Sequence, residues 1–348
     1  MSEVVSTPPL DLPRVGAWLE AHVPSFRGLR SAERIVGGNS NPIWRLEAAS
    51  GRYILRTQPA GALLKSAHAL DREVRVLQAL RGSAVPVAAV HALCKDLDVT
   101  GVQFYLMDFV AGEVHRDPRM PEVARERRAQ LYAAAIDMLA TIHRADIDAL
   151  GLRDFGRAGH YFQRQMHRWT QQFRTALPEG EPTMEALIAA LEKDLPPDDA
   201  EPVLLHGDSR LDNLMFEPGT ERIAAVLDWE LSTLGHPLAD LGQFLAVQAL
   251  PYDYLLPGLA GIDRRAAGIP SIDEQAARYF EATGKAPRDM RFYQAFAMFR
   301  QAAMSAGLKR RAELGTAVAE SALHFGKTLD VFARVGLDLL EGRARRSA

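Results

Sequence analysis

Cysteine is almost absent: Cys94 is the only one in 348 residues. A disulfide framework within the chain and a thiolate metal cluster are therefore excluded, and Cys94, set in an apolar stretch, reads as a packing residue. Long apolar runs are missing as well. The nearest, Ala133 to Ile142, carries Asp137 and falls short of the ~20 residues that span a bilayer, so no membrane partner is expected. No charge of one sign prevails. The formal net charge is -3 and no basic block dominates, which argues against a nucleic-acid partner. The short run Arg343-Ala344-Arg345-Arg346 reads as a solvated tail. Met1 to Pro13 carries acid and prolines in place of a basic segment followed by an apolar one. No secretory leader is expected there, and the cytoplasm is the expected compartment.

What is present is an ordinary globular composition, 47% hydrophobic and 24% charged, over a length that suits one two-lobed unit or two domains. Short strands are expected at 34–38, 43–48 and 53–57, separated by a Gly/Asn-rich loop and by the turn Ala49-Ser50-Gly51. A helix is expected from Ser66 to Leu80 with Ser66 as N-cap, then strands near 87–93 and 102–109. Val110-Ala111-Gly112 breaks this pattern, and the chain turns helical. Helices are expected at Pro121 to His143, Tyr161 to Ala176, Met184 to Lys193, Leu238 to Ala249, Ile272 to Thr283, Arg288 to Arg311 and Thr316 to Val335. Between them lies a compact β-type insert, Val203 to Trp229. The expected fold is α+β: a small antiparallel β lobe with one central helix over residues 1–110, and a larger helical lobe with a short hairpin over 111–348.

The insert carries the densest chemistry. A buried strand, Val203-Leu204-Leu205, runs into His206-Gly207-Asp208-Ser209-Arg210-Leu211-Asp212-Asn213. Extended structure resumes at Leu214, Glu217-Pro218-Gly219-Thr220 supplies a turn, and a second strand ends at Asp228-Trp229-Glu230. Such a hairpin sets Asn213 beside Asp228, an amide oxygen and a carboxylate suited to magnesium. Phosphoryl transfer needs a carboxylate at the acceptor hydroxyl and metal ions on the triphosphate, and Asp208, Asn213 and Asp228 supply those parts. A lone Asp-x-x-x-x-Asn also arises by chance in turns. The preceding His-Gly, the flanking apolar strands and the strand-terminal Asp distinguish this one.

His206 to Asn213, together with Leu227-Asp228-Trp229-Glu230, resembles the aminoglycoside phosphotransferase and choline kinase superfamily. The match is closer still to the phosphotransferase domains that accompany acyl-CoA dehydrogenases. The resemblance runs from Ile35 to about Gly242. It implies a protein-kinase-like fold, ATP and magnesium as cofactors, Asp208 as catalytic base, and Asn213 and Asp228 as metal ligands. It also implies a functional link to an acyl-CoA dehydrogenase. In such enzymes a third-strand cation pairs with a helix glutamate. Here Arg56 takes the cation position, where lysine is usual. Glu73 interrupts the apolar stripe Leu70, Leu77, Leu80, so a buried acid there needs a partner.

The resemblance sets Gly37-Gly38-Asn39-Ser40-Asn41 over the phosphates, although that loop is neither G-x-G-x-x-G nor Walker A. It makes Leu106 to Gly112 the hinge, with the Asp108 carbonyl and Val110 N–H on the adenine and Met107 behind it. Asp240 becomes the acid that braces the catalytic loop. For Glu230 two readings stand open: contact with magnesium through water, or capping of the Trp229 turn.

The acceptor is a small molecule with a hydroxyl. Residues 231–348 hold 15 Lys and Arg against 12 Asp and Glu, which gives no support for a polycation pocket. The dehydrogenase-associated relatives imply a hydroxyacyl-CoA or hydroxy acid. Lys309-Arg310-Arg311 and Arg300 are candidates to meet such an anion, or simply a solvated helix end. An aminoglycoside or choline-type kinase stays open as an alternative. So does a nucleotide-binding pseudokinase that regulates a partner; it is disfavoured because Asp208, Asn213 and Asp228 are all present.

Overall fold

The computed structural model describes residues 10–35, 41–59, 70–313 and 328–343. The chain opens with a helix, α1 (Leu12–His22), where Asp11 caps the Arg14 N–H at 3.1 Å and a proline stands in the first turn. The sequence reading had no helix here. Then come β1 (Leu29–Ile35), β2 (Ile43–Ala48), β3 (Gly51–Thr57), α2 (Leu70–Leu80), β4 (Val90–Cys94), the short α3 (Leu97–Thr100) and β5 (Phe104–Asp108). They form one antiparallel sheet in the order β1-β2-β3-β5-β4.

The strand expected at 34–38 starts earlier, at Leu29. Five of the seven β1 residues are exposed at the sheet edge, so no inward–outward alternation marks it. By contrast β2 alternates strictly between half-buried and buried positions and keeps its expected bounds. The expected start of the second helix at Ser66 lies outside the described residues.

One face of the sheet buries Leu46, Leu55, Phe104 and Leu106 against Val15 and Leu19 of α1. The other face, through Val90, Tyr105 and the apolar stripe of α2, joins the large core of the helical lobe. That helix therefore sits between the sheet and the helical lobe.

The helical lobe holds α4 (Arg125–His143), α5 (Tyr161–Ala176), α6 (Pro182–Lys193), α7 (Leu238–Ala246), the one-turn α8 (Arg264–Ala267), α9 (Ile272–Thr283), α10 (Arg291–Glu313) and α11 (Leu329–Leu340). The first of these starts four residues later than expected. The last continues past Val335 to Leu340, and its expected first part lies outside the described residues. Residues 292–303 of α10 are buried without a break, as a helix packed on all sides must be; α5, α6, α7 and α11 surround it. Two small hairpin-like pairs complete the lobe. β6 (Val203–Leu205) pairs with β9 (Thr233–Gly235), and β7 (Leu214–Phe216) pairs with β8 (Ile223–Val226).

Candidate active site

The buried strand β6 delivers His206, Gly207 and Asp208 to one edge of the helical lobe. Gly207 has φ +85°, and a Cβ there would lie 2.2 Å from the Leu231 carbonyl oxygen. Only glycine meets both demands. Asp240, buried in the first turn of α7, accepts the N–H groups of His206 at 2.6 Å and Gly207 at 3.0 Å, while Ser209 Oγ donates to the Asp240 carbonyl at 2.6 Å. Behind it, His143 Nε2 lies 3.4 Å from Asp240 Oδ2, and His143 Nδ1 is 2.7 Å from the Tyr279 hydroxyl. Burial pushes the Asp240 carboxyl up, but His143, His206 and the donated N–H outweigh it and hold the group below its ordinary value. Arg300 of α10 turns inward to donate to the Gly207 carbonyl. It braces this loop from within and is not a free cation for an acceptor. Lys309 and Arg310 are exposed near the end of α10.

His206 ties the loop to the hairpin. Its Nε2 donates to the Leu227 carbonyl at 2.7 Å, and its Nδ1 accepts the Asp208 N–H at 3.2 Å. Leu227 N–H in turn donates to the Asn213 carbonyl at 2.8 Å, so Asn213 and Asp228 are brought to adjacent ends of β7 and β8, as the hairpin register required. Asn213 Nδ2 donates to the Asp208 carbonyl at 2.7 Å and to Asp208 Oδ2 at 3.2 Å. This use of the nitrogen leaves Oδ1 as the ligand atom of that amide. Arg210 Nε is 3.5 Å from Asp208 Oδ2, and Gln243 Nε2 donates to Oδ1 at 3.5 Å.

Asp228 adopts a left-handed backbone, φ 61°, uncommon for a residue with a Cβ. Its Oδ1 lies 2.7 Å from Arg56 Nη2. The expected pair between Arg56 and Glu73 is present at 3.3 Å, both side chains buried. The arginine reaches further than expected. Its Nη2 also donates to Glu230 Oε2 at 2.9 Å, an oxygen that accepts Asn41 Nδ2 at 3.0 Å. Glu230 is thus held by Arg56 and Asn41, which neither open reading anticipated.

One guanidinium therefore serves three carboxylates. Burial pushes Glu73 up to about 7, with Arg56 pulling it down and Asp228 adding to the rise. For Asp228 burial also pushes upward, yet the charge and hydrogen bond of Arg56 prevail and hold it below the ordinary carboxylate range. Tyr105, paired with Arg56 across β3 and β5, hydrogen-bonds Glu73.

Asp208, Asn213, Arg56, Glu73, Asp228 and Asn41 are thus joined in one continuous network. Met107 and Asp108 end β5, two and three residues beyond Tyr105, and Val110 follows them, half-buried. Asp108 also receives His91 Nε2 at 2.6 Å. Gly112 then passes so close to β7 that a Cβ would lie 2.7 Å from the Phe216 carbonyl oxygen. Gly37, Gly38, Asn39 and Ser40 lie outside the described residues. Arg210, Gln243 and His143 were missed by sequence reasoning. Gln243 was findable by the logic that found Glu73: it is a polar side chain amid Leu241, Phe244 and Leu245, and fully buried.

Among the described residues no group of three or more His, Cys, Asp or Glu side chains forms a self-contained metal site. Asn213 Oδ1 and the Asp228 carboxylate, the latter one-third exposed, are hard oxygen donors. They fit a magnesium ion that completes its shell with phosphate oxygens and water. Also among the described residues, no helix is long and apolar enough to cross a membrane.

A five-stranded sheet with a buried cation–acid pair, joined to a helical lobe that presents this loop and hairpin, defines a protein-kinase-like phosphotransferase fold. The chain belongs to the phosphotransferase enzyme family, whose profile matches residues 31–296. It is 40% identical over 303 residues to mouse acyl-CoA dehydrogenase family member 10, covering 86% of this chain and 28% of that protein. It is 34% identical over 345 residues to human acyl-CoA dehydrogenase family member 11, covering 97% and 44%. The chain thus spans less than half the length of these curated relatives. A solved protein from Ralstonia eutropha JMP134, named for the aminoglycoside phosphotransferases, superposes with TM-score 0.82 at 38% identity, covering 98% of this chain and all of that one. A spectinomycin phosphotransferase solved with ADP and spectinomycin gives TM-score 0.61 at 13% identity over 95% and 99% of the two chains, a likeness of fold alone.

Proposed function

We propose that the protein is an ATP- and magnesium-dependent kinase that phosphorylates a hydroxyl group of a small acceptor, with Asp208 as its base. The observation that carries this reading is the linkage from Arg56 to Asp228, from its neighbour Leu227 by a backbone hydrogen bond to Asn213, and from Asn213 to Asp208. It joins a phosphate-side cation, two metal-suited oxygens and a carboxylate. The ADP bound by the spectinomycin enzyme of the same fold supports the nucleotide.

Residues 1–110 form the nucleotide lobe in this reading, and residues 111–348 the lobe that brings the base and the acceptor. Arg56, oriented by Glu73, meets the phosphates, and the loop Gly37-Gly38-Asn39-Ser40-Asn41 covers them. Met107, the Asp108 carbonyl and the Val110 N–H border the adenine. Asn213 and Asp228 would hold magnesium, which when bound neutralises charge on the triphosphate. Asp208 orients the acceptor hydroxyl and takes its proton. The acceptor oxygen forms the new bond to the γ-phosphorus as the bridging P–O bond breaks and ADP leaves. Asp240, His206 and Arg300 hold the loop that carries this base.

The acceptor we favour is a hydroxyacyl-CoA or free hydroxy acid. The dehydrogenase names of the relatives support it, as does the guanidinium group of Arg116 near the catalytic loop. A functional link to an acyl-CoA dehydrogenase, and a cytoplasmic location, belong to the same proposal.

The experiment is transfer of label from γ-labelled ATP with magnesium to a panel of hydroxyacyl-CoAs, hydroxy acids, choline and aminoglycosides. Label on a hydroxyacyl compound supports the whole reading. Label on a cationic acceptor alone would keep the mechanism and overturn the acceptor. Tight magnesium-ATP binding with no transfer to any acceptor would favour a regulatory pseudokinase.

A further inference from the structure

A cavity of about 30 Å³ lies against the catalytic loop, bordered by Arg210, Leu211 and Asp212 and, from α4 and α7 onward, by Tyr132, Phe244 and Val247. Leu256 and Pro257, on the loop after α7, complete its wall. Arg210 connects it to the base, since it lines the cavity and its Nε sits 3.5 Å from Asp208 Oδ2.

Its polar neighbours are largely committed elsewhere. The Tyr132 hydroxyl donates to the Pro118 carbonyl at 2.7 Å, and Gln248 is consumed by Phe244, Gln275 and Arg264. His115 is bonded to Glu122 at 2.5 Å. The charged groups at the wall are two guanidiniums, Arg116 and Arg210, against one carboxylate, Asp212, which Arg210 takes at 3.1 Å. No spare carboxylate is left among them to receive an ammonium group. On the segment that supplies Leu256, Tyr252 and Leu255 remain 44% and 49% exposed.

We infer that this cavity is the subsite for the alkyl end of the acceptor, the carbons beyond the one bearing the hydroxyl. This rests on the hydroxyacyl reading above and adds a size limit to it. A space of this volume admits roughly two or three water-sized groups, so a methyl or ethyl end fills it and a longer tail or a sugar ring must extend beyond it. The apolar wall then selects by size, and the lack of an uncommitted carboxylate among the lining residues disfavours cationic acceptors.

The test uses 3- and 4-hydroxy acids and their CoA thioesters with tails of about one to six carbons, in wild type, Leu256→Trp and Leu256→Ala. Leu256 is buried in the core, so matching melting temperatures and an unchanged KM for ATP check that each variant is folded. Wild type should favour the shortest tails by more than about tenfold in kcat/KM. Leu256→Trp should lower kcat/KM for short tails by about tenfold through acceptor KM, with KM for ATP unchanged. Leu256→Ala should shift the preference toward longer tails by about fivefold. Hydroxy acids phosphorylated with one tail-length profile in all three proteins would overturn the subsite and leave the function standing. Transfer only to choline or aminoglycosides in wild type would overturn both.

Discussion

Arg56 Nη2 lies 2.7 Å from Asp228 Oδ1, so the third-strand cation of the small lobe is bonded to the carboxylate that ends the hairpin of the large lobe. The same guanidinium contacts Glu73 and Glu230. One cation shared by three acids therefore joins the two lobes, alongside the Asn41–Glu230 hydrogen bond.

Removing that cation should be costly. Arg56→Met leaves buried acids without their counter-charge, a class of change worth about 3–5 kcal/mol. Arg56→Lys should recover part of it, because an ammonium cannot span all three carboxylates. Urea unfolding near pH 8 measures both variants. The Arg56→Met deficit should shrink toward pH 6, where Glu73, already pushed up to about 7 by burial, takes up a proton. A variant as stable as wild type would show that the network contributes nothing.

Gly207 offers a second test. Alanine there would carry an unfavourable left-handed backbone and a Cβ 2.2 Å from the Leu231 carbonyl oxygen. The backbone term alone costs about 1–2 kcal/mol, and relief of the clash must move the residue next to Asp208. Gly207→Ala should lower stability by about 2 kcal/mol or more and kcat by more than tenfold. Unchanged kcat would mean that the loop geometry does not matter to turnover.

His236 should make stability fall in mild acid. It is buried, its Nδ1 accepts the Leu238 N–H at 3.2 Å, and burial lowers it to about 4 against the opposing pull of Asp199. Between that value and the ordinary ~6.5 the unfolded chain binds a proton that the folded one refuses. The contribution is therefore complete above ~6.5, lost as pH falls through about 4, and already reduced by about 2 kcal/mol at pH 5. His236→Asn, whose side-chain oxygen can still accept at that position, should show a shallower loss between pH 7 and 5 in urea titrations. Equal slopes would contradict the assignment.

Much of this architecture is legible from local pattern. The helices Tyr161–Ala176 and Ile272–Thr283 match their expected bounds, the latter closed by a Ser271–Glu274 capping box and Gly284. Glu73 was legible because an acid inside an apolar stripe demands a partner. The contacts of Arg56 with Asp228 and Glu230 were not, since they join residues 172 and 174 positions apart and leave no periodicity behind. The same holds for Gln243 against Asp208. The exposed edge strand at Leu29–Ile35 was expected too late in the chain, at 34–38, because its side chains face water and leave no alternation.

The central claim is that Asp208 handles the acceptor proton while Asn213 and Asp228 serve the nucleotide. The most direct test compares Asp208→Asn with Asp228→Ala, measuring phosphoryl transfer and magnesium-dependent stabilisation by ATP in parallel. Asp208→Asn should lose about 10²–10⁴ in kcat and keep the thermal shift produced by magnesium-ATP. Asp228→Ala should lose that shift as well. Normal turnover by Asp208→Asn would contradict the account.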